Sequence, residues 1–200
     1  DGVDLEVGGT VEDQGDAFGD LLTLFVLIVI LVYIVMATQF ESLVFPFIIM
    51  FTIPFAFTGV FLALWMTSTP LSLIALIGAI MLVGIVTKNG IVMVDYMNLL
   101  IERGSGVFDA VIAGGKSRLR PVLMTSFTTI LGMLPLAIGT GAGSETWQPM
   151  GIAVIGGLTF STILTLFIVP VLYSILVNRS QRKEREKLAR LSAEHQASKH

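Results

Sequence analysis

LSLIALIGAIMLVGIVTKNGIVMVDYMNLL, residues 71–100, sets the terms on which this chain can fold. From Leu71 to Thr87 there is no charge; Lys88 and Asn89 follow, and the apolar run resumes as GIVMV. A run of this length and composition can cross a bilayer as one helix. A charged side chain near the bilayer centre costs about 2.5–3.5 kcal/mol on insertion scales. Each Leu, Ile, Val or Phe offsets roughly 0.3–0.6 kcal/mol of that. The lysine is therefore tolerable, and it needs a reason, because intramembrane ionisable groups face a partner or a water-filled cavity. Two readings stand side by side: Lys88 is functional, or it snorkels to the interface or pairs statically.

The rest of the chain fits the same setting. It is 54% hydrophobic with a mean hydropathy of +0.86, too apolar for an ordinary soluble domain. There is no cysteine, so no disulfide and no thiolate site. The net charge of −3 hides an asymmetry. Residues 1–20 carry seven acids and no base, while residues 178–200 carry seven bases and three acids. In an apolar chain this polarity reads as membrane topology and not as nucleic-acid binding. The chain starts at Asp1, and no basic segment or cleavage motif accompanies its first apolar run. That reads as the later part of a longer polypeptide.

Five spans are expected, at about 20–39, 43–66, 71–100, 121–141 and 147–177. The fold class is thus an all-α membrane bundle of five transmembrane helices. Pro54 lies inside the second span and should kink it, which membrane helices tolerate. The alternation VDLEV at 3–7 predicts a short strand, and residues 1–19 read as the end of a region outside the membrane. Phe108, Val111 and Ile112 suggest a short interfacial helix at about 106–117, with Gly114 and Gly115 ending it. The tail 179–200 reads as a solvated helix. Arg103, Lys116, Arg118 and Arg120, together with the basic tail, place that side in the cytoplasm, and an odd number of spans then places residues 1–20 outside.

Inside the membrane the titratable inventory is short. Asp95 lies seven residues after Lys88, about 10 Å along a helix axis. Helical side chains lean toward the N-terminus, so Lys88 leans away from it. Asp95 suits a solvated or helix-end role. No other carboxylate falls within the uncharged run of a span, the first of which begins at Leu21, so the partner of Lys88 is expected on another helix, from a segment or polypeptide outside this chain. Asn89 is either interhelical glue or part of the site. Thr125 either reaches the Lys88 site or bonds its own backbone. Arg118 reads most simply as a topology anchor. Gly151, Gly156 and Gly157 should allow close helix packing. The nine methionines are scattered singly, which favours packing over a metal path. There is no phosphate-binding glycine loop, zinc spacing or nucleophile constellation, so no enzymatic reaction is expected.

Four stretches, ATQFESLVFPFIIMFTIPFAFTG, GIVTKNGIVMVDY, RLRPVLMTSFTTILGMLPLAIGTGAGSE and GIAVIGGLTFSTILTLFIVPVLY, cover nearly the whole chain. In this order they resemble the C-terminal membrane part of resistance–nodulation–division (RND) transporters, in the hydrophobe/amphiphile efflux branch. The resemblance implies the eighth to twelfth spans of a twelve-span, proton-driven pump in a bacterial inner membrane of the Gram-negative type. It implies a homotrimer, completed by the N-terminal half of the same pump, a periplasmic adaptor and an outer-membrane channel, and no cofactor beyond the proton. It also implies a relay in which a lysine meets two aspartates of an earlier span, assisted by a threonine and an arginine. By motif, these fall on Lys88 in TKN, with Asn89 beside it, Thr125 in LMTS and Arg118 in RLRP. The aspartates lie outside this sequence, so this polypeptide alone is not expected to transport. A metal-cation exporter of the same superfamily, or a non-transporting membrane module, are the alternatives.

Overall fold

Apolar runs become helices here because hydrocarbon offers backbone N–H and C=O groups no other partner. The computed structural model describes residues 10–139 and 143–197, with side chains for 13–139 and 143–178. Six helices follow in order: α1 (Thr10–Phe40), α2 (Val44–Met50), α3 (Thr52–Met66), α4 (Leu73–Glu102), α5 (Val107–Ile138) and α6 (Ser144–Ala197). They supply five stretches long and apolar enough to cross a membrane, with α2 and α3 forming one of them. The strand expected at 3–7 lies outside the described residues.

Proline and glycine place the irregularities. The second span is interrupted at Phe51, one turn before Pro54, because proline cannot donate to the carbonyl of Met50. Nearby, the Thr52 hydroxyl donates to the Ile49 carbonyl at 2.6 Å. The fourth span, α5, departs from expectation. Gly114 and Gly115 do not end it; the segment expected as a separate interfacial helix is the first third of α5, which runs on through Pro121. The reason is packing: a Cβ at Gly114 would stand 2.6 Å from Cγ of Met97, so this glycine is the point where α5 crosses α4. α6 likewise runs past the membrane-length stretch Ser144–Asn178 as one continuous helix.

α6 is the hub and packs against α3, α4 and α5. It approaches α3 closely along a run of small residues. A Cβ at Gly59 would lie 2.5 Å from Cβ of Phe160 and 2.8 Å from the Gly156 carbonyl oxygen, and one at Gly156 would lie 2.1 Å from Cβ of Ala63. Backbones this close gain dispersion contacts, which drive association where apolar burial from water cannot. Gly151 and Gly157 are tight in the same way, against Ala137 and Leu82. Two buried clusters result. One joins Val60, Leu64, Ala79, Leu82, Ala153 and Leu158. The other joins Met36, Ile48, Met93, Met97, Val169 and Tyr173. Tyr173 is fully buried, stacks on Phe45 and donates its hydroxyl proton to Oδ1 of Asn98. α1 is held at its edge by Phe25 against Phe57 and leaves most of its apolar surface exposed.

Candidate functional site

α4 begins where Ser72 caps it, its Oγ accepting from the Ala75 amide at 3.2 Å. From that start, the helical repeat sorts the residues of α4 into a buried side and an exposed side. Ala75, Ala79, Leu82, Val86, Met93 and Met97 are buried against the other helices. Ile77, Met81, Gly84, Lys88, Asp95 and Leu99 share the opposite, exposed side. Lys88 thus stands on the surface of this bundle, at the level of its apolar core, with no hydrogen bond or ion pair among the described residues. Asp95 shares that side about 10 Å along the axis and does not pair with it.

α5 runs antiparallel beside α4 and completes a groove of about 570 Å³. Ile85, Lys88 and Asn89 line it from α4; Pro121, Met124, Thr125, Thr128 and Thr129 line it from α5. Three of the four residues singled out from the sequence, Lys88, Asn89 and Thr125, therefore meet in one place. Asn89 is only 8% exposed and makes no hydrogen bond to another described residue, so it is not glue within this bundle. Thr125 donates to the Val122 carbonyl at 3.0 Å, which leaves its oxygen lone pairs for the groove. Its neighbour Ser126 points the other way and bonds Thr162 of α6 at 2.9 Å, fixing the rotation of α5.

Arg118 is not in the groove. Its guanidinium lies over the ring of Tyr96, 4.6 Å from the centroid, and its Nε is buried without a hydrogen-bond partner. Thr128 and Thr129 line the groove without having been singled out. The signal was present in the sequence: Thr125, Thr128 and Thr129 recur at i, i+3 and i+4, the spacing of one helix face.

A groove built on the open side of a membrane bundle is a place for helices or solutes to meet. Comparison with known proteins makes the class specific: the chain is a membrane part of an RND transporter. Residues 1–177 match the AcrB/AcrD/AcrF family, and the chain belongs to that family. It is 38% identical over 184 residues to the swarming motility protein SwrC of Bacillus subtilis (strain 168), covering 92% of this chain and 18% of SwrC. It is 44% identical over 155 residues to the multidrug resistance protein MdtC of Erwinia tasmaniensis, covering 77% of this chain and 15% of that protein. The fold superposes on the crystal structure of a heavy metal efflux pump with a TM-score of 0.77 at 32% identity, over 86% of this chain and 17% of that one. The chain spans less than a fifth of the length of each of these proteins.

Proposed function

We propose that this chain carries the lysine side of a proton relay in a proton-driven efflux pump that exports hydrophobic or amphiphilic compounds. One observation carries the reading. Lys88 stands unpaired on the open face of an apolar bundle, in a groove with Asn89 and Thr125 and no carboxylate. A cation at membrane depth without a partner is costly, so acids on a helix outside this chain complete the site. When those acids are ionised they hold Lys88. When one takes up a proton the attraction falls, and the two halves of the membrane domain shift against each other. Arg118 assists from the same helix as Thr125, held by Tyr96 toward the end of α4 that carries Asp95.

In this reading the partners are the N-terminal half of the pump, further copies in a homotrimer, a periplasmic adaptor and an outer-membrane channel. The site is the inner membrane, with residues 1–20 outside and the basic tail in the cytoplasm, as the distribution of Lys and Arg supports. The likeness to MdtC, a multidrug resistance protein, favours organic substrates. A metal-cation exporter is the second reading, favoured by the likeness to a heavy metal efflux pump.

The test uses the full-length pump in a strain lacking other exporters. Lys88→Met should abolish efflux of dyes and detergents while expression and assembly persist. Retained efflux would sink the relay. Resistance to copper, silver or zinc without dye export would decide for the metal reading.

A further inference from the structure

The exposed surface of α5 divides into two faces of different chemistry. Met124, Phe127, Leu131 and Ile138 are each at least 60% exposed and form a continuous apolar side suited to lipid. About a third of a turn away, Thr125, Thr128, Thr129 and Gly132 form a narrower face of hydroxyls and small residues. The three threonines open into the Lys88 groove. On the facing helix, Gly84 lies one turn before Lys88 on the same side. A Cβ at Gly84 or Gly132 would meet nothing within 4 Å, so both helices leave open space in this direction.

Hydrogen-bond direction decides what that space suits. Thr125 donates to the Val122 carbonyl at 3.0 Å, Thr128 to the Met124 carbonyl at 2.8 Å, and Thr129 to the Thr125 carbonyl at 2.9 Å. Each hydroxyl has one proton and has committed it, so the α5 wall offers acceptors only. Lys88 on the other wall offers donors only. An anion finds no donor on the threonine wall. Water suits both walls at once, because it accepts from the ammonium and donates to the threonine oxygens.

We propose that Thr128 and Thr129 are positioning residues that hold an oriented file of water running from Lys88 toward the end of the bundle where α5 ends and α6 begins. The hydroxyl and glycine face carries the file about 10 Å along α5, from Thr125 to Gly132. Along it a proton passes from water to water, each molecule accepting one proton and releasing another, and ends on the acid that faces Lys88. This rests on the relay reading of Lys88 and adds the route by which protons reach it.

The experiment compares the full-length pump with its Thr128→Val/Thr129→Val variant in proteoliposomes, with substrate-coupled proton flux read by a pH-sensitive dye across a range of pH. Valine keeps the shape and removes both acceptors. Flux should fall about tenfold, the rate equivalent of one or two lost hydrogen bonds, with the largest deficit at high pH on the proton-entry side. Substrate affinity should be unchanged, and Thr128→Ser/Thr129→Ser should restore flux. Wild-type flux in the valine variant at every pH would overturn the proposal. So would a serine variant as impaired as the valine one, which would mean that packing is at issue. If the valine pair does not assemble, Thr129→Ala alone is read by the same criteria. Lys88→Met measured alongside separates the two levels: an active Lys88→Met pump overturns the relay and the water file together, whereas a dead Lys88→Met with a normal valine pair overturns the water file alone.

Discussion

The guanidinium of Arg118 rests over the ring of Tyr96, 4.6 Å from its centroid, and not beside Lys88. The two residues come from antiparallel helices, so the contact ties the start of α5 to the far part of α4. Arg118 has no hydrogen bond or ion pair among the described residues, so the ring is the one directional contact of its guanidinium. A cation over an aromatic face is worth about 0.5–2 kcal/mol, more when desolvated. Tyr96→Phe keeps the ring and should leave dye efflux of the full-length pump near normal. Tyr96→Leu should release Arg118 and lower efflux severalfold. Equal efflux in the two variants, measured as dye retention, would show that the contact does not position Arg118.

The α3–α6 crossing has no room for a methyl group at Gly59. Its neighbours there are Cβ of Phe160 and the carbonyl oxygen of Gly156, neither of which can swing away. Gly59→Ala should force the helices apart and cost about 1–3 kcal/mol, the usual range for overpacking. The readout is the melting temperature of the pump in detergent. Gly115→Ala is the matched control: a Cβ there meets nothing within 4 Å. It should leave the melting temperature level or raise it, since alanine is favoured over glycine in a helix by about 1 kcal/mol.

The spans and the lone intramembrane lysine were legible because both follow from one-dimensional properties. Apolar runs mark the helices, and Lys88 is conspicuous because nothing near it in the sequence is charged. The extent of α5 was not legible. Gly114 and Gly115 read as a stop, because glycine is a poor helix former in isolation. Here the α4–α5 crossing requires the missing side chain at Gly114, against Met97, and tertiary packing overrides propensity. Gly59 escaped for the same reason: which glycines touch another backbone depends on where helices cross. The orientation of Arg118 toward Tyr96 likewise needed the rotation of α5 that the Ser126–Thr162 bond fixes, whereas the threonine face beyond Thr125 could be read from its spacing alone.

Tyr173 and Asn98 form a part-buried polar pair between α6 and α4, Tyr173 belonging to a cluster that is otherwise apolar. Tyr173→Phe keeps the stack on Phe45 and leaves the Asn98 amide without its donor. Interhelical hydrogen bonds in membranes average about 0.6 kcal/mol and reach about 1.7, so the variant should be destabilised within that range. Asn98→Leu and the double variant complete the cycle. Additive losses in detergent unfolding would mean that the two side chains do not interact.

Lys88 should have opposite effects on insertion and on function. On the exposed side of α4 it faces the hydrocarbon of any membrane into which this chain inserts by itself. Replacing it by leucine removes a cost of about 2.5–3.5 kcal/mol and adds the small gain of an apolar residue. Lys88→Leu should therefore raise the inserted fraction of the separately expressed chain, measured by protection of its spans from protease. In the full-length pump, the relay reading expects the same substitution to abolish efflux and to leave the acids of the other half facing each other without a cation. A variant that inserts better and still exports would show that the lysine is dispensable to transport. One that inserts no better would show that Lys88 escapes the hydrocarbon by snorkelling, which is the static reading.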